Sequence, residues 1–329
     1  MRRAMKGAWR GAATSLLLIF LAACASGPSA DPHLPHPGAP ATEQALEPPA
    51  TDWALYDQEG RELALQELLE AVVDVEVLFI GERHGDPAGH DFQLQLLQAL
   101  AGDDLPSALD DRGLILSLEM FERDVQPVLD EYLAGLITEE HFLSAARPWD
   151  SYRRDYRPLV EVARQEGLPV VAANAPRRYV NRVSRLGRDA LAELGEDALK
   201  HLPPLPYPGP TDEYRTEWNA LMDGIPGNHG AQGGDTLLEA QSLWDASMAY
   251  SLAEVLESAD GDPLVVHVTG SFHVDHGTGT PEALAHYRPG TTFAIVSIRA
   301  SEDLASSPEA QDRARGDFVV LTSGAAPGS

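Results

Sequence analysis

Val75-Glu76-Val77-Leu78-Phe79-Ile80-Gly81-Glu82-Arg83-His84 is a short apolar run that ends in a glycine, a carboxylate and an imidazole. Much later the chain repeats the device in Leu264-Val265-Val266-His267-Val268-Thr269-Gly270-Ser271-Phe272-His273. Both stretches share the skeleton Gly-x-x-His. Both are too brief for a core helix and rich in β-branched residues, so they read as buried strands. A strand apolar on both sides of its pleat belongs to a sheet covered on both faces, as parallel sheets are. In such sheets ligands bind in the crevice outside the carboxyl ends of the strands. The two histidines are therefore expected at one ligand-binding edge.

Working outward, four more apolar runs read as strands, at residues 113–118, 168–173, 292–298 and 318–322. Helical patterns separate them, at 63–72, around Phe92 to Leu100, and at 125–133, 139–145, 152–165 and 236–258. Trp53 to Tyr56, followed by Asp57-Gln58-Glu59-Gly60, suggests an edge hairpin. Strands alternating with helices predict an α/β fold, a mostly parallel β-sheet flanked by helices. Residues 202–235 break the alternation with Pro203, Pro204, Pro206, Pro208 and Pro210 and then Gly227, Gly230, Gly233 and Gly234. An excursion of this kind is expected to be a helical, Pro/Gly-rich lid insertion.

The amino-terminal segment is read separately. Met1-Arg2-Arg3 and the apolar Leu16 to Leu21 form a secretory signal too short to span a bilayer permanently. Its end, Leu21-Ala22-Ala23-Cys24, is similar to a bacterial lipobox, which implies cleavage before Cys24 and palmitate on that residue. The expected organisation is a signal peptide at 1–23, a disordered tether at 24–51 and one α/β domain at 52–325. Cys24 is the single cysteine, so no internal disulfide supports the core. The net charge of −27 argues against nucleic acid as a partner. A lipid anchor at Cys24 would hold the chain to the bacterial cell envelope. Ala25 and Ser26 carry no retention signal, so the outer membrane, facing the periplasm, is the expected location.

Four strand ends carry polar groups: Glu82 with His84, Glu119, Asn174, and His273. Each alone is as well explained by helix capping or a solvated loop. Together they suit a divalent ion, zinc, manganese or iron, held by His84, His273, Glu82 and Glu119. A metal so held would lower the pKa of bound water, with Glu82 or Glu119 as general base of a hydrolase. A second cluster is aromatic and basic. Trp149, Tyr152 and Tyr156 lie among Arg147, Arg153, Arg154 and Arg157. Tyr152 and Tyr156 share a helix face, and the plain reading is core packing. The functional reading is a tyrosine ligand to haem iron, with arginines pairing the propionates. On the last long helix Gln241 and Asp245 fit poorly in a core and are expected to line the site. No Cys-x-x-Cys-His, P-loop or Gly-x-Ser-x-Gly motif is present.

Taken in order, these pieces resemble the ChaN-like haem-binding lipoproteins, within a superfamily that includes Tiki, TraB and erythromycin-esterase-like proteins. The resemblance rests on Gly81-Glu82-Arg83-His84, Leu118-Glu119-Met120-Phe121-Glu122-Arg123-Asp124, Tyr156-Arg157-Pro158-Leu159, Ala173-Asn174-Ala175-Pro176, Gln241-Ser242-Leu243-Trp244-Asp245 and Gly270-Ser271-Phe272-His273. It implies an envelope lipoprotein that binds haem non-covalently for iron or haem acquisition, through a tyrosine and at a contact between two copies in a homodimer. Tyr156 sits in the matching Tyr-x-Pro segment, and Tyr152, Tyr207, Tyr214 and His229 are further candidates. From the Tiki-like members it implies the alternative of metal-dependent peptide hydrolysis.

Overall fold

The computed structural model describes residues 52–110, 112–223 and 234–323. The signal, the tether, Cys24, His229 and part of the lid insertion lie outside the described residues. Eight strands form one sheet: β1 (Trp53–Asp57), β2 (Glu62–Leu63), β3 (Val77–Glu82), β4 (Leu114–Glu122), β5 (Val170–Asn174), β6 (Leu264–Gly270), β7 (Phe293–Ala300) and β8 (Phe318–Thr322). Their order across the sheet is β2-β1-β8-β7-β3-β6-β4-β5. From β8 to β5 every neighbouring pair is parallel, and β1 joins β8 and β2 antiparallel, as the edge hairpin requires.

Ten helices concern the argument: α1 (Leu65–Ala71), α2 (Pro87–Leu100), α3 (Gln126–Leu133), α4 (Glu139–Ala146), α5 (Tyr152–Asp155), α6 (Arg157–Glu166), α7 (Arg177–Leu186), α8 (Asp212–Asp223), α9 (Gly234–Ser258) and α10 (Thr280–Tyr287). The pattern at 152–165 is therefore broken in two at Tyr156. Pro158 near the start of α6 has no amide hydrogen to continue the preceding helix. Strand β3 runs two residues later than its apolar run suggested and carries Gly81 and Glu82 inside the ladder.

The continuous apolar runs have the expected cause. Leu78, Ile80, Leu116, Leu118, Val266 and Val268 pack on one face with Phe92, Leu96 and Leu97 of α2. Val77, Phe79, Ile115, Val265 and Ile295 pack on the other with Leu252 and Leu256 of α9 and Leu284 of α10. Each fully buried side chain of this kind contributes ~1.5–3 kcal/mol relative to exposure. A separate cluster, with Val180, Val183, Leu202, Tyr207 and Leu243, seats α7 on α9. At the far edge the backbone of β5 is occupied by a side chain. Gln126 donates to the Val170 carbonyl at 2.8 Å and accepts from the Ala172 amide at 2.6 Å.

The order places β6 between β3 and β4, although it follows both by more than a hundred residues. The direction of winding reverses there, which opens a crevice at the carboxyl ends of these three strands.

Candidate functional site

The two Gly-x-x-His motifs meet in that crevice. Glu82 is level with Gly270 in the β3–β6 ladder. Each motif's glycine makes room for the other motif. A Cβ on Gly81 would lie 2.8 Å from Val274 and 3.1 Å from the Ser271 backbone. A Cβ on Gly270 would lie 2.9 Å from Nε2 of His84. The local demand for glycine is therefore close approach, not an unusual backbone angle.

Strand β4 supplies the third group through an irregularity. Its register with β5 passes from Leu118–Ala172 to Glu122–Asn174, four steps on one strand against two on the other. Extra residues of this kind re-aim side chains beside functional sites. Glu119 is turned onto the end of β6, where Oε2 accepts from Thr269 Oγ1 and from the Gly270 amide, both at 2.7 Å.

Two imidazole–carboxylate pairs flank Glu119. In the first, His84 Nδ1 lies 2.7 Å from Glu82 Oε1. Tyr156 donates to the same oxygen at 2.6 Å, and Gln93 donates to Oε2 at 2.7 Å. In the second, His273 Nδ1 lies 2.7 Å from Asp245 Oδ1, and its Nε2 lies 3.7 Å from Glu119 Oε1. Asp245 is fixed in turn by Thr280 at 3.1 Å and Tyr214 at 2.5 Å. Burial disfavours charge on His273, yet Asp245 and Glu119 outweigh it and push its pKa up to about 9. For His84 burial again opposes the charge, and the bond to Glu82 with the Glu82 and Glu119 charges raises its pKa. Burial alone would raise the Glu119 pKa, but the facing imidazoles of His273 and His84, then the Gly270 amide, hold it below the ordinary range.

Around these groups lies a cavity of about 630 Å³ whose lining includes Glu82, His84, Glu119 and His273. Trp149, Trp218, Trp244, Phe272 and Leu221 supply an aromatic and apolar rim. Trp149 stands edge-on to His84, ring centres 5.0 Å apart. Gln241 lines the cavity and reaches the His273 ring at 3.1 Å. Trp218 and Leu221 come from α8, inside the insertion, and were not foreseen. Tyr214, Trp218 and Leu221 are spaced i, i+4, i+7, the one helical signal in that segment.

The sequence-predicted haem residues are placed unevenly. Trp149 lines the cavity. Tyr156 is fully buried behind it with its hydroxyl given to Glu82, and burial together with that carboxylate keeps the phenol protonated. Tyr152 is buried against Phe121 and Phe142, its hydroxyl without a hydrogen bond, and burial raises its pKa too. Neither tyrosine lines the cavity. Arg157 is paired with Glu139 at 2.6 Å. The arginines expected to favour a phenolate thus serve other carboxylates.

The divalent-metal reading gains no support from the structure. Among the described residues no group of three or more His, Cys, Asp or Glu side chains is arranged to hold a metal ion. Glu82 gives its oxygens to Tyr156, His84 and Gln93, Glu119 gives Oε2 to Thr269 and the Gly270 amide, and His273 Nδ1 faces Asp245.

Residues 68–284 match the family described as haem-binding uptake, Tiki superfamily, ChaN. The chain belongs to this family. A solved ChaN of Campylobacter jejuni, described with cofacial haem binding, is similar over 83% of this chain and 97% of that one, with a TM-score of 0.62 at 17% identity. The likeness at that identity is one of fold. RETICULATA-RELATED 5 of Arabidopsis thaliana, a chloroplastic protein, is 25% identical over 243 residues. The match takes in 70% of this chain and 32% of the plant protein, so the chain spans about a third of that relative's length.

Proposed function

We propose that this protein binds haem non-covalently in the cavity at the ends of β3, β4 and β6, as a lipid-anchored envelope protein serving haem or iron acquisition. The observation that carries the reading is the cavity of a chain from a haem-binding family: a wide crevice rimmed by Trp149, Trp218 and Trp244 over a floor of imidazoles. Flat indole rings suit a flat macrocycle. Among the described residues His84 is the side chain best prepared to meet the iron. Its Nδ1 is held by Glu82, its Nε2 has no protein hydrogen bond, and half of the side chain is exposed to the cavity. A carboxylate behind the second ring nitrogen fixes tautomer and orientation in metal-binding histidines. Acylation at Cys24 and an outer-membrane, periplasm-facing location complete the proposal, with two copies sharing the ligand as a further option.

Haemin titration of the purified protein, followed in the visible spectrum and by tryptophan quenching, tests the reading. A saturable band distinct from free haemin, changed in His84→Ala and kept in Tyr156→Phe, is expected. A spectrum equal to that of free haemin would sink it. Labelled palmitate that still enters Cys24→Ala would remove the anchor.

A further inference from the structure

One part of the cavity lining holds donors that nothing among the described residues accepts from. Asn174, at the end of β5, is only 6% exposed and lines the cavity. Its Oδ1 accepts from the Ala175 amide at 2.9 Å, while its Nδ2 makes no hydrogen bond among the described residues. That nitrogen is left to donate to a molecule in the cavity. Three residues on, α7 begins. Pro176 offers its first turn no side-chain cap, and the amides of Tyr179 and Val180 take the Pro176 carbonyl. Among the described residues the amides of Arg177 and Arg178 have no acceptor, the usual state of an open helix start. The side chain of Arg177 lines the same cavity and forms no ion pair among the described residues. Its neighbours behave otherwise. Arg178 holds Asp124 at 2.6 Å, and Arg147 holds Glu122, which lines the same cavity, at 2.9 Å. Arg177 is an exposed residue at the cavity wall, with its charge left for a ligand.

We propose that Asn174 Nδ2, the Arg177 guanidinium and the open start of α7 form a carboxylate-binding pole of the cavity. Its ligand is a flat aromatic molecule bearing at least one free carboxylate. On the haem reading, on which this assignment of the ligand rests, the pole takes the propionates. Helix starts attract anions through free amides and the axial dipole, and guanidinium–carboxylate bonds are among the stronger charge-assisted ones. The pole thus selects for the acid side chains while the tryptophan rim holds the plane.

The test compares haemin with its dimethyl ester, and pyrenebutyrate with pyrenebutanol, by tryptophan quenching. The proteins are wild type, Arg177→Gln and Arg185→Gln, the last an exposed control on α7 bonded to Asn181. Wild type should prefer each acid over its neutral partner about tenfold, in a salt-sensitive way, and Arg177→Gln alone should lose the preference. Equal binding of acid and neutral partner in wild type, or a preference untouched in Arg177→Gln, overturns the pole. If neither haemin nor its ester binds but pyrenebutyrate is still preferred, the haem reading fails and the pole stands.

Discussion

Replacing His273 with glutamine isolates the charge at the centre of the site. The imidazole is 5% exposed, and Asp245 and Glu119 raise its pKa from 6.5 to about 9. Those 2.5 units correspond to about 3 kcal/mol at ~1.4 kcal/mol per unit. The sign follows from linkage: the folded state binds this proton more tightly than the unfolded chain. The contribution is complete below pH 6.5, declines as pH rises and is gone beyond about pH 9. Urea unfolding of wild type and His273→Gln, followed by tryptophan fluorescence from pH 6 to pH 10, gives the assay. The variant should be the less stable at pH 6. The gap should narrow by about 3 kcal/mol at high pH, since groups that do not interact with His273 cancel. A gap that stays constant, or a His273 ring resonance titrating below pH 7, refutes the reasoning.

Four other substitutions probe neighbouring claims. Tyr156→Phe removes the donor to Glu82 Oε1 and should cost about 1–2 kcal/mol in urea unfolding while the haemin band is unchanged. Tyr152→Phe deletes a buried hydroxyl with no partner, so the melting temperature should hold or rise, by up to ~1 kcal/mol in stability. Gly270→Ala sets a methyl group 2.9 Å from the His84 ring, which can swing, whereas in Gly316→Ala the clash is with the Ile295 carbonyl at 2.7 Å. Gly316→Ala should therefore lower stability by about 1–3 kcal/mol, and Gly270→Ala should chiefly alter haemin binding.

The strands and their order of alternation with helices were legible because a sheet buried on both faces leaves unbroken apolar runs such as Val77 to Ile80. That Glu82, His84, Glu119 and His273 would gather at one edge was also legible, since all four follow such runs. Hydrogen-bond direction was not. Nothing in Tyr156-Arg157-Pro158 shows that the phenol turns inward to Glu82, or that Arg157 turns to Glu139. Nor does the sequence show that Glu119 turns to Thr269, Glu82 to Gln93 and His273 to Asp245. Trp218 and Leu221 were hidden by composition, because prolines and glycines on either side of α8 drew attention from its helical spacing.

The bridge that Gln126 makes along β5 has a bearing on how copies of this protein can meet. A bare outer strand is an invitation to continue the sheet with a strand from another molecule. Here the amide already fills the vacancy, taking one carbonyl and one amide of that border as a passing strand would. Growth by sheet extension on this flank requires evicting it first, so a pairing that shares ligand is steered to other surfaces. Gln126→Ala should expose the border and reveal itself as concentration-dependent association in sedimentation, with the cavity untouched.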